Sequence, residues 1–432
     1  MAVPEQRYQS LAAEIEHAVV AGELAPGERL PSVRRMAAAR GLSPTTVAAA
    51  LAELRRRGVV VSRERSGTRV AERPPLRAAR GVVVPAGVRD RATGNPDPAL
   101  LPSLDRMLPA PQRLYGAPPL EPALAEVARA ALAADDIPAE RLCAVSGALD
   151  GIERVLAADL SPGDPVAVED PGWPGVLDLV RAVGARLVGV ALDDRGMLPD
   201  ALAGALRAGA RAVVLTPRGH NPAGAALDAP RAAALAEVLD AAPDVLVVED
   251  DHLGPVAGVP WRSLTAGRAR WAVVRSMSKW LGPDLRLALL AGDELTLARV
   301  EGRQSLGPGW VSGLLQRLAA ALWADPEVIA LVERATGIYA DRRDALVAAL
   351  AAHGIETRAP SGINVWVPVP DEDAAVRALL AAGTSVAAGA PYRLQAGPAV
   401  RITTAALESL EAEALAATLA AAIAPPRRTR AA

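Results

Sequence analysis

Phenylalanine is absent from these 432 residues, aromatics amount to 3%, and cysteine and lysine occur once each. The single cysteine, Cys143, excludes a disulfide within the chain and suits a reducing compartment, so a cytoplasmic location is expected. Its thiol reads as a small buried hydrophobe. Long apolar runs are missing as well, because Arg, Asp, Glu or Pro interrupts each one short of membrane-spanning length. No basic start precedes an apolar N-terminal segment, so neither secretion nor membrane insertion is expected. What remains is a chain rich in Ala, Val and Leu, long enough for about two to four domains.

The lone lysine, Lys279, stands against 46 arginines among the 47 Lys+Arg. Ammonium and guanidinium serve about equally as solvated charges, so the exception marks a task that arginine cannot perform. Only an amine that loses its proton can attack a carbonyl and form a Schiff base. Lys279 is therefore the candidate catalytic residue and the candidate anchor for an aldehyde cofactor; the plain alternative is a survivor on a solvated face.

Charge divides the chain. The formal net charge is −2, yet residues 1–91 carry 16 Arg against 9 Asp+Glu, or +7, which leaves −9 for the remainder. This pattern suggests a basic module for nucleic acid joined to an acidic body.

Within the basic part, Tyr8, Leu11, Ile15, Ala18 and Val19 recur at helical spacing before Gly22. Ser32 is placed to cap a second helix that stops at Gly41, and Ser43 to cap a third with Pro44 at its first position. Val59-Val60-Val61 and Thr68-Arg69-Val70 flank a charged turn and read as a hairpin. Three helices and a hairpin make a winged helix-turn-helix. Its candidate DNA contacts are Ser43, Thr45 and Thr46 at the start of the third helix, Arg34 and Arg35 on the second, and Arg63, Arg65 and Gly67 in the wing, with double-stranded DNA as the partner. Through Gly22–Arg34, Leu42–Val47 and Ser66-Gly67-Thr68, residues 6–71 resemble the DNA-binding domain of the GntR family of bacterial regulators. Pro44 stands where that family often has Arg, which removes one bidentate guanine contact. Residues 73–92, rich in Pro and Arg, read as a semi-extended linker.

From about residue 142, apolar runs alternate with Ala/Leu-rich helical stretches: 165–168, 186–190, 212–215, 245–248, 272–274 and 287–290. The alternation predicts an α/β domain with a mainly parallel sheet and a ligand site beyond the strands' carboxyl ends. The residues that follow these runs form one set. Gly147 and Ala148 open a helix whose free N–H groups favour a phosphate. Trp173 supplies a stacking ring, Asn221 a donor, Asp250 and His252 an acid and an imidazole, and Ser276, Ser278, Lys279 and Arg286 hydroxyls, an amine and a guanidinium. Together they meet the needs of pyridoxal 5'-phosphate: Lys279 for the aldehyde, Asp250 for the ring nitrogen, Trp173 for the ring face, Asn221 for the ring oxygen, and Gly147, Ala148, Ser276, Ser278 and Arg286 for the phosphate. No metal site is expected.

Asn95–Pro102, Ser146-Gly147-Ala148, Glu169–Gly175, Asn221–Gly224, Glu249–His252, Ser276–Lys279 and Tyr339–Leu346 give residues 93–425 a resemblance to class I aminotransferases of pyridoxal-phosphate fold type I. Behind a GntR-like domain, the whole chain resembles the MocR subfamily of transcriptional regulators. The resemblance implies a winged helix-turn-helix over residues 1–72, the linker over 73–92, an aminotransferase-like domain over 93–425 with a smaller α/β part mainly in 310–425, and a disordered tail over 426–432. It also implies a head-to-tail homodimer with each DNA-binding domain over the partner's body, and a carboxylate-binding arginine, which Arg401 fits; the alternative for Arg401 is a surface residue on an edge strand. His252 stands where relatives usually have Tyr, and as an imidazole it would titrate near neutrality. Trp173 replaces a more usual Tyr, and Leu149 a frequent Gln.

The function so implied is a DNA-binding regulator that holds pyridoxal phosphate on Lys279 and senses an amine, an amino acid or the cofactor itself. A working aminotransferase with an accessory DNA-binding domain, and a cofactor-free dimerisation platform, are the alternatives.

Overall fold

Runs of Val, Ala and Leu buried on both faces determine the architecture of the body. The structure, a computed structural model, describes residues 4–63, 67–71, 84–105 and 115–424. Arg65, most of the expected linker and the tail lie outside the described residues.

The N-terminal domain contains α1 (Pro4–Ala21), α2 (Val33–Arg40), α3 (Pro44–Arg56) and the antiparallel hairpin β1 (Val60–Arg63) and β2 (Gly67–Val70). Ser32 Oγ accepts from the Arg35 N–H, and Gly41 ends α2 at φ 61°. Ser43 Oγ accepts from the Thr46 N–H at the start of α3. Each such cap stabilises its helix by about 1 kcal/mol. Leu11, Ile15, Met36, Val47, Leu51, Leu54, Val60 and Val70 form the domain's core.

The chain next forms β3 (Arg89–Arg91), and the large sheet begins at β4 (Leu142–Val145). It continues through β5 (Pro165–Asp170), β6 (Arg186–Asp193), β7 (Gly196–Met197), β8 (Ala212–Leu215), β9 (Leu246–Asp251), β10 (Trp271–Ser276) and β11 (Ala288–Gly292). The spatial order is β4-β11-β10-β9-β8-β5-β6-β7. From β10 to β6 neighbouring strands are parallel, whereas β11 runs antiparallel to both β10 and β4. Helices bury both faces, as an all-apolar parallel core requires. Cys143 on β4 is buried, and burial pushes its thiol up to about 12.

The smaller sheet joins β12 (Asn364–Pro368), β13 (Thr384–Ala388) and β14 (Ala399–Thr403) with β3, in the order β12-β14-β13-β3. The stretch read as linker therefore contributes a strand: Arg89–Arg91 pairs in parallel with Thr384–Val386. Three residues are too few for alternation to be visible in the sequence. A 27-residue helix, Pro326–Ala352, serves both cores, with Val332 and Tyr339 in one and Leu346 and Leu350 in the other.

Candidate functional site

The parallel strands point their carboxyl ends at a cavity of about 460 Å³, and Lys279 lines it. Around that lysine stand Ala148, Trp173, Asn221, His252, Ser276, Ser278, Arg286 and Arg401. Gly147 adjoins them as the N-cap of helix Ala148–Asp159, and Asp250 lies beneath as a buried residue near the end of β9. The structure thus gathers every candidate residue of the body into one place.

The anion end is built from backbone and one guanidinium. Gly147 sits at φ 98°, and a Cβ there would lie 2.7 Å from Arg286 Nη2. Only glycine admits both the backbone angle and this close approach. Arg286, itself left-handed at φ 44°, donates through Nη2 to Ser146 O at 3.3 Å. Ser276 Oγ and Ser278 Oγ are 2.9 Å apart. The first N–H groups of helix Ala148–Asp159 lie at the same end of the cavity, and a helix N-terminus favours an anion.

At the ring position, the Trp173 and His252 rings are stacked at 22° with centroids 6.4 Å apart. His252 Nδ1 lies 3.9 Å from Asp250 Oδ2, beyond hydrogen-bond reach. Asp250 Oδ1 and His252 Nδ1 are both buried and lack a partner. Burial, then the charges of Asp251 and Glu169, raises the Asp250 carboxyl to about 8. His252 does not titrate near neutrality, contrary to expectation. Burial, followed by the charge of Lys279, lowers it to about 3, so the imidazole is neutral.

Lys279 Nζ donates to Gly94 O at 2.7 Å, and burial, then Arg401, lowers the amine to about 8. An appreciable share is unprotonated near neutral pH, which a nucleophilic amine requires. Arg401 lies on β14, between β12 and β13 and not at an edge, and is buried. It donates through Nη1 to Asn221 Oδ1 at 3.1 Å and through Nη2 to Ala92 O, with the guanidinium 5.1 Å over the Tyr392 ring. Since Asn221 accepts through its oxygen, its amide N–H₂ is left as the donor.

Several neighbours are not apparent from sequence. Asp251 accepts from Arg218 and Arg275, and Arg275 also reaches Asp135. Burial opposes the charge on Asp251, but Arg275 and Arg218 hold it at about 2. Asp170 receives the N–H groups of Leu394, Gln395 and Ala396. Gly94 adjoins the Asn95–Pro102 motif, the one signal that could have found it.

In the N-terminal domain Arg34, Arg35 and Thr45 are exposed. Thr46 Oγ1 is 2.8 Å from Ser43 Oγ, so both hydroxyls are engaged within the cap. Arg63 is described only through its backbone pairing with Gly67. Gly67 is left-handed at φ 78°, and the Arg29 side chain packs against it.

Comparison with known proteins follows the same division. Residues 7–70 match the family described as bacterial regulatory proteins, gntR family, and residues 110–419 match aminotransferase class I and II. The vitamin B6 salvage pathway transcriptional repressor PtsJ of Salmonella typhimurium is 39% identical, covering 93% of this chain and 95% of its own. The chain belongs to the MocR subfamily of gntR-type regulators. The HTH-type transcriptional regulator TauR of Rhodobacter capsulatus is 30% identical over 84% of this chain and 85% of its own. Among solved structures, a kynurenine aminotransferase of Pyrococcus horikoshii in complex with PMP superposes with a TM-score of 0.69 at 21% identity, covering 78% of this chain and 91% of that one. This last likeness concerns the fold alone.

Pyridoxal phosphate is the cofactor of class I and II aminotransferases. The residues present fit it: a glycine beside a guanidinium at a helix N-terminus, the Trp173 ring on the cavity wall, a buried acid with an unpartnered Oδ1 next to the cavity-lining His252, and an amine of lowered basicity. No helix among the described residues is long and apolar enough to cross a membrane.

Proposed function

We propose that this protein is a DNA-binding transcriptional regulator that holds pyridoxal 5'-phosphate on Lys279 and reports the occupancy of that site, the effector being the cofactor itself or an amine or amino acid that reacts there. The observation that carries the reading is the buried Asp250, its Oδ1 unpartnered, beside His252 in the wall of a cavity lined by the chain's single lysine, in a chain whose first domain is of the gntR type. The name of the Salmonella relative refers to vitamin B6 salvage, which supports the cofactor as effector here.

Pyridoxal phosphate supplies an aldehyde for an amine and a pyridine ring that withdraws electrons. Lys279, with its lowered basicity, would hold the aldehyde. Asp250 would serve the ring nitrogen, and as an anion it would favour the charged form of that nitrogen. Neutral His252 and the Asn221 amide donate to the ring oxygen, and Trp173 covers a ring face. Gly147, Ala148, Ser276, Ser278 and Arg286 hold the phosphate. Arg401 takes an effector's carboxylate.

On DNA, α3 enters the major groove with Thr45 foremost, Ser43 and Thr46 shape its first turn, and Arg34, Arg35, Arg63, Arg65 and the Gly67 turn meet the backbone. The protein acts as a head-to-tail homodimer in this reading, and Tyr115, 92% exposed, and Leu306, 91% exposed, offer apolar surface for a second copy to cover.

The test is a DNA-binding titration with and without pyridoxal phosphate, read beside the visible spectrum. Absence of a visible band, with no borohydride-trapped adduct on Lys279, would overturn the reading. The second reading, a working aminotransferase, is favoured by the intact lysine and its unpartnered acid; sustained turnover with an amino donor and a keto acceptor would establish it.

A further inference from the structure

The two cations at the heart of the cavity are already bound, and to the same piece of chain. Lys279 donates to the carbonyl of Gly94, and Arg401 to the carbonyl of Ala92. These carbonyls engage the same amine and guanidinium that an aldehyde and a carboxylate would need. Gly94 is pressed against the guanidinium, since a Cβ there would lie 3.3 Å from Arg401 Nη1. The segment is short, buried at Ala92 and Gly94, and firmly joined to what precedes it. Asp90 receives the N–H groups of Ala92 and Thr93 at 2.9 and 3.0 Å, and the Thr93 hydroxyl as well. Asp90 is itself the middle residue of β3, which pairs with the small sheet and is tied to Glu411 through Arg89 and Arg91. The chain that leads back from β3 is the connection to the DNA-binding domain.

We infer that the Ala92–Gly94 segment is an internal ligand that the effector displaces, and that Asp90 passes this displacement into β3, the strand it belongs to, and thence to the DNA-binding domain. The inference rests on the regulator reading above and names the route by which occupancy of that site is communicated. Its chemistry is simple. When an aldehyde condenses with the neutral Lys279 amine, a carbon–nitrogen double bond forms and the aldehyde oxygen leaves as water with both amine hydrogens. Gly94 O loses its donor. A carboxylate on Arg401 likewise competes with Ala92 O, and a charged acceptor binds a buried guanidinium more strongly than a neutral carbonyl does. The aldehyde therefore frees Gly94 O and a carboxylate frees Ala92 O; an amino acid that took the aldehyde from Lys279 would return the amine to Gly94 O while keeping Ala92 O free, so the two effector classes release different carbonyls of the segment. A difference in interactions of this kind is what a ligand needs in order to shift a conformational equilibrium.

The experiment uses the full-length protein and pyridoxal phosphate as the probe. Asp90 touches neither cation, so Asp90→Ala is expected to load cofactor, by its visible band, as the parent does. Loading should change the parent's DNA affinity by about tenfold, within the usual range for coupled sites, and that of Asp90→Ala by less than about twofold. Hydrogen exchange supplies a readout independent of the variant: amides 92–95 of the parent should exchange faster once the cofactor is bound. Should Asp90→Ala load and still respond in full, or should exchange at 92–95 be equal in the empty and loaded parent, the inference is overturned while the regulator reading stands. If the parent loads without any change in DNA affinity, or fails to load, the regulator reading itself falls.

Discussion

Asp250 and Asp251 are adjacent on β9, and their surroundings drive them to opposite charge states. Arg218 and Arg275 hold Asp251 at about 2, while burial and the Asp251 charge carry Asp250 to about 8. One strand thus presents a permanent anion to the scaffold and a protonated acid to the cavity.

The first expectation concerns Asp250→Asn. In the empty protein the folded state keeps a proton on Asp250 that the unfolded chain, with the ordinary value of 3.8, releases. The folded state is therefore the one with more bound protons between those two values, and stability falls as pH rises across that window. Asn does not titrate, so the variant should lose less stability than the parent between about pH 5 and 8, by roughly 1–3 kcal/mol, because the buried acid's ionisation no longer contributes. Denaturant melts at the two pH values measure it. The same variant should bind pyridoxal phosphate at least about tenfold more weakly, since an amide supplies no anion to the ring nitrogen.

Capture at Lys279 should follow the lowered basicity of its amine. With the amine at about 8, the fraction of free base rises with pH up to that point and then levels off. An ordinary lysine would continue to gain until its usual 10.5. Stopped-flow absorbance from pH 6 to 10 distinguishes the two profiles; continued growth above pH 9 would mean that the amine is not depressed.

Gly147→Ala should harm the anion cradle and the fold together. Alanine at φ 98° is strained, and its Cβ would meet Arg286 Nη2 at 2.7 Å. The expected cost is about 1–2 kcal/mol of stability, with at least a tenfold loss of affinity for pyridoxal phosphate. Pyridoxal, which lacks the phosphate, should be affected much less. Equal losses for both compounds would place the damage elsewhere.

On the DNA side, replacing Arg34 and Arg35 by alanine should weaken binding about equally for all sequences. For every phosphate that is no longer neutralised, the slope of log K against log salt should fall by about 0.9. Thr45→Ala should alter the preference among sequences and leave that slope unchanged. Titrations at several salt concentrations separate these outcomes.

Much of this was legible in the residues. The strands and their terminal residues are marked by all-apolar runs that break into polar sequence, and Lys279 is marked by the absence of any other lysine. Caps at Ser32 and Ser43 follow from hydroxyls before helical periodicity. Less visible were features set by partners far away in the chain. The neutrality of His252 comes from burial, which residue type does not encode. The interior position of Arg401 depends on β12 and β13 flanking β14, and β3, which extends that sheet beyond β13, is three residues of charge within an apparent linker. The Arg218–Asp251–Arg275–Asp135 network draws on four separated segments, so no local spacing announces it.

The position of Lys279 has a practical consequence. Reagents that acylate or reductively alkylate amines meet, besides an α-amino terminus, one side chain in 432 residues, and it opens onto the cavity. A dye attached there reports on that cavity alone, and its attachment should be blocked stoichiometrically by whatever the cavity holds. Enzymes that tune proteins by acetylating surface lysines have no surface lysine here to modify, so the permanent positive side-chain charge of this molecule is held in guanidinium.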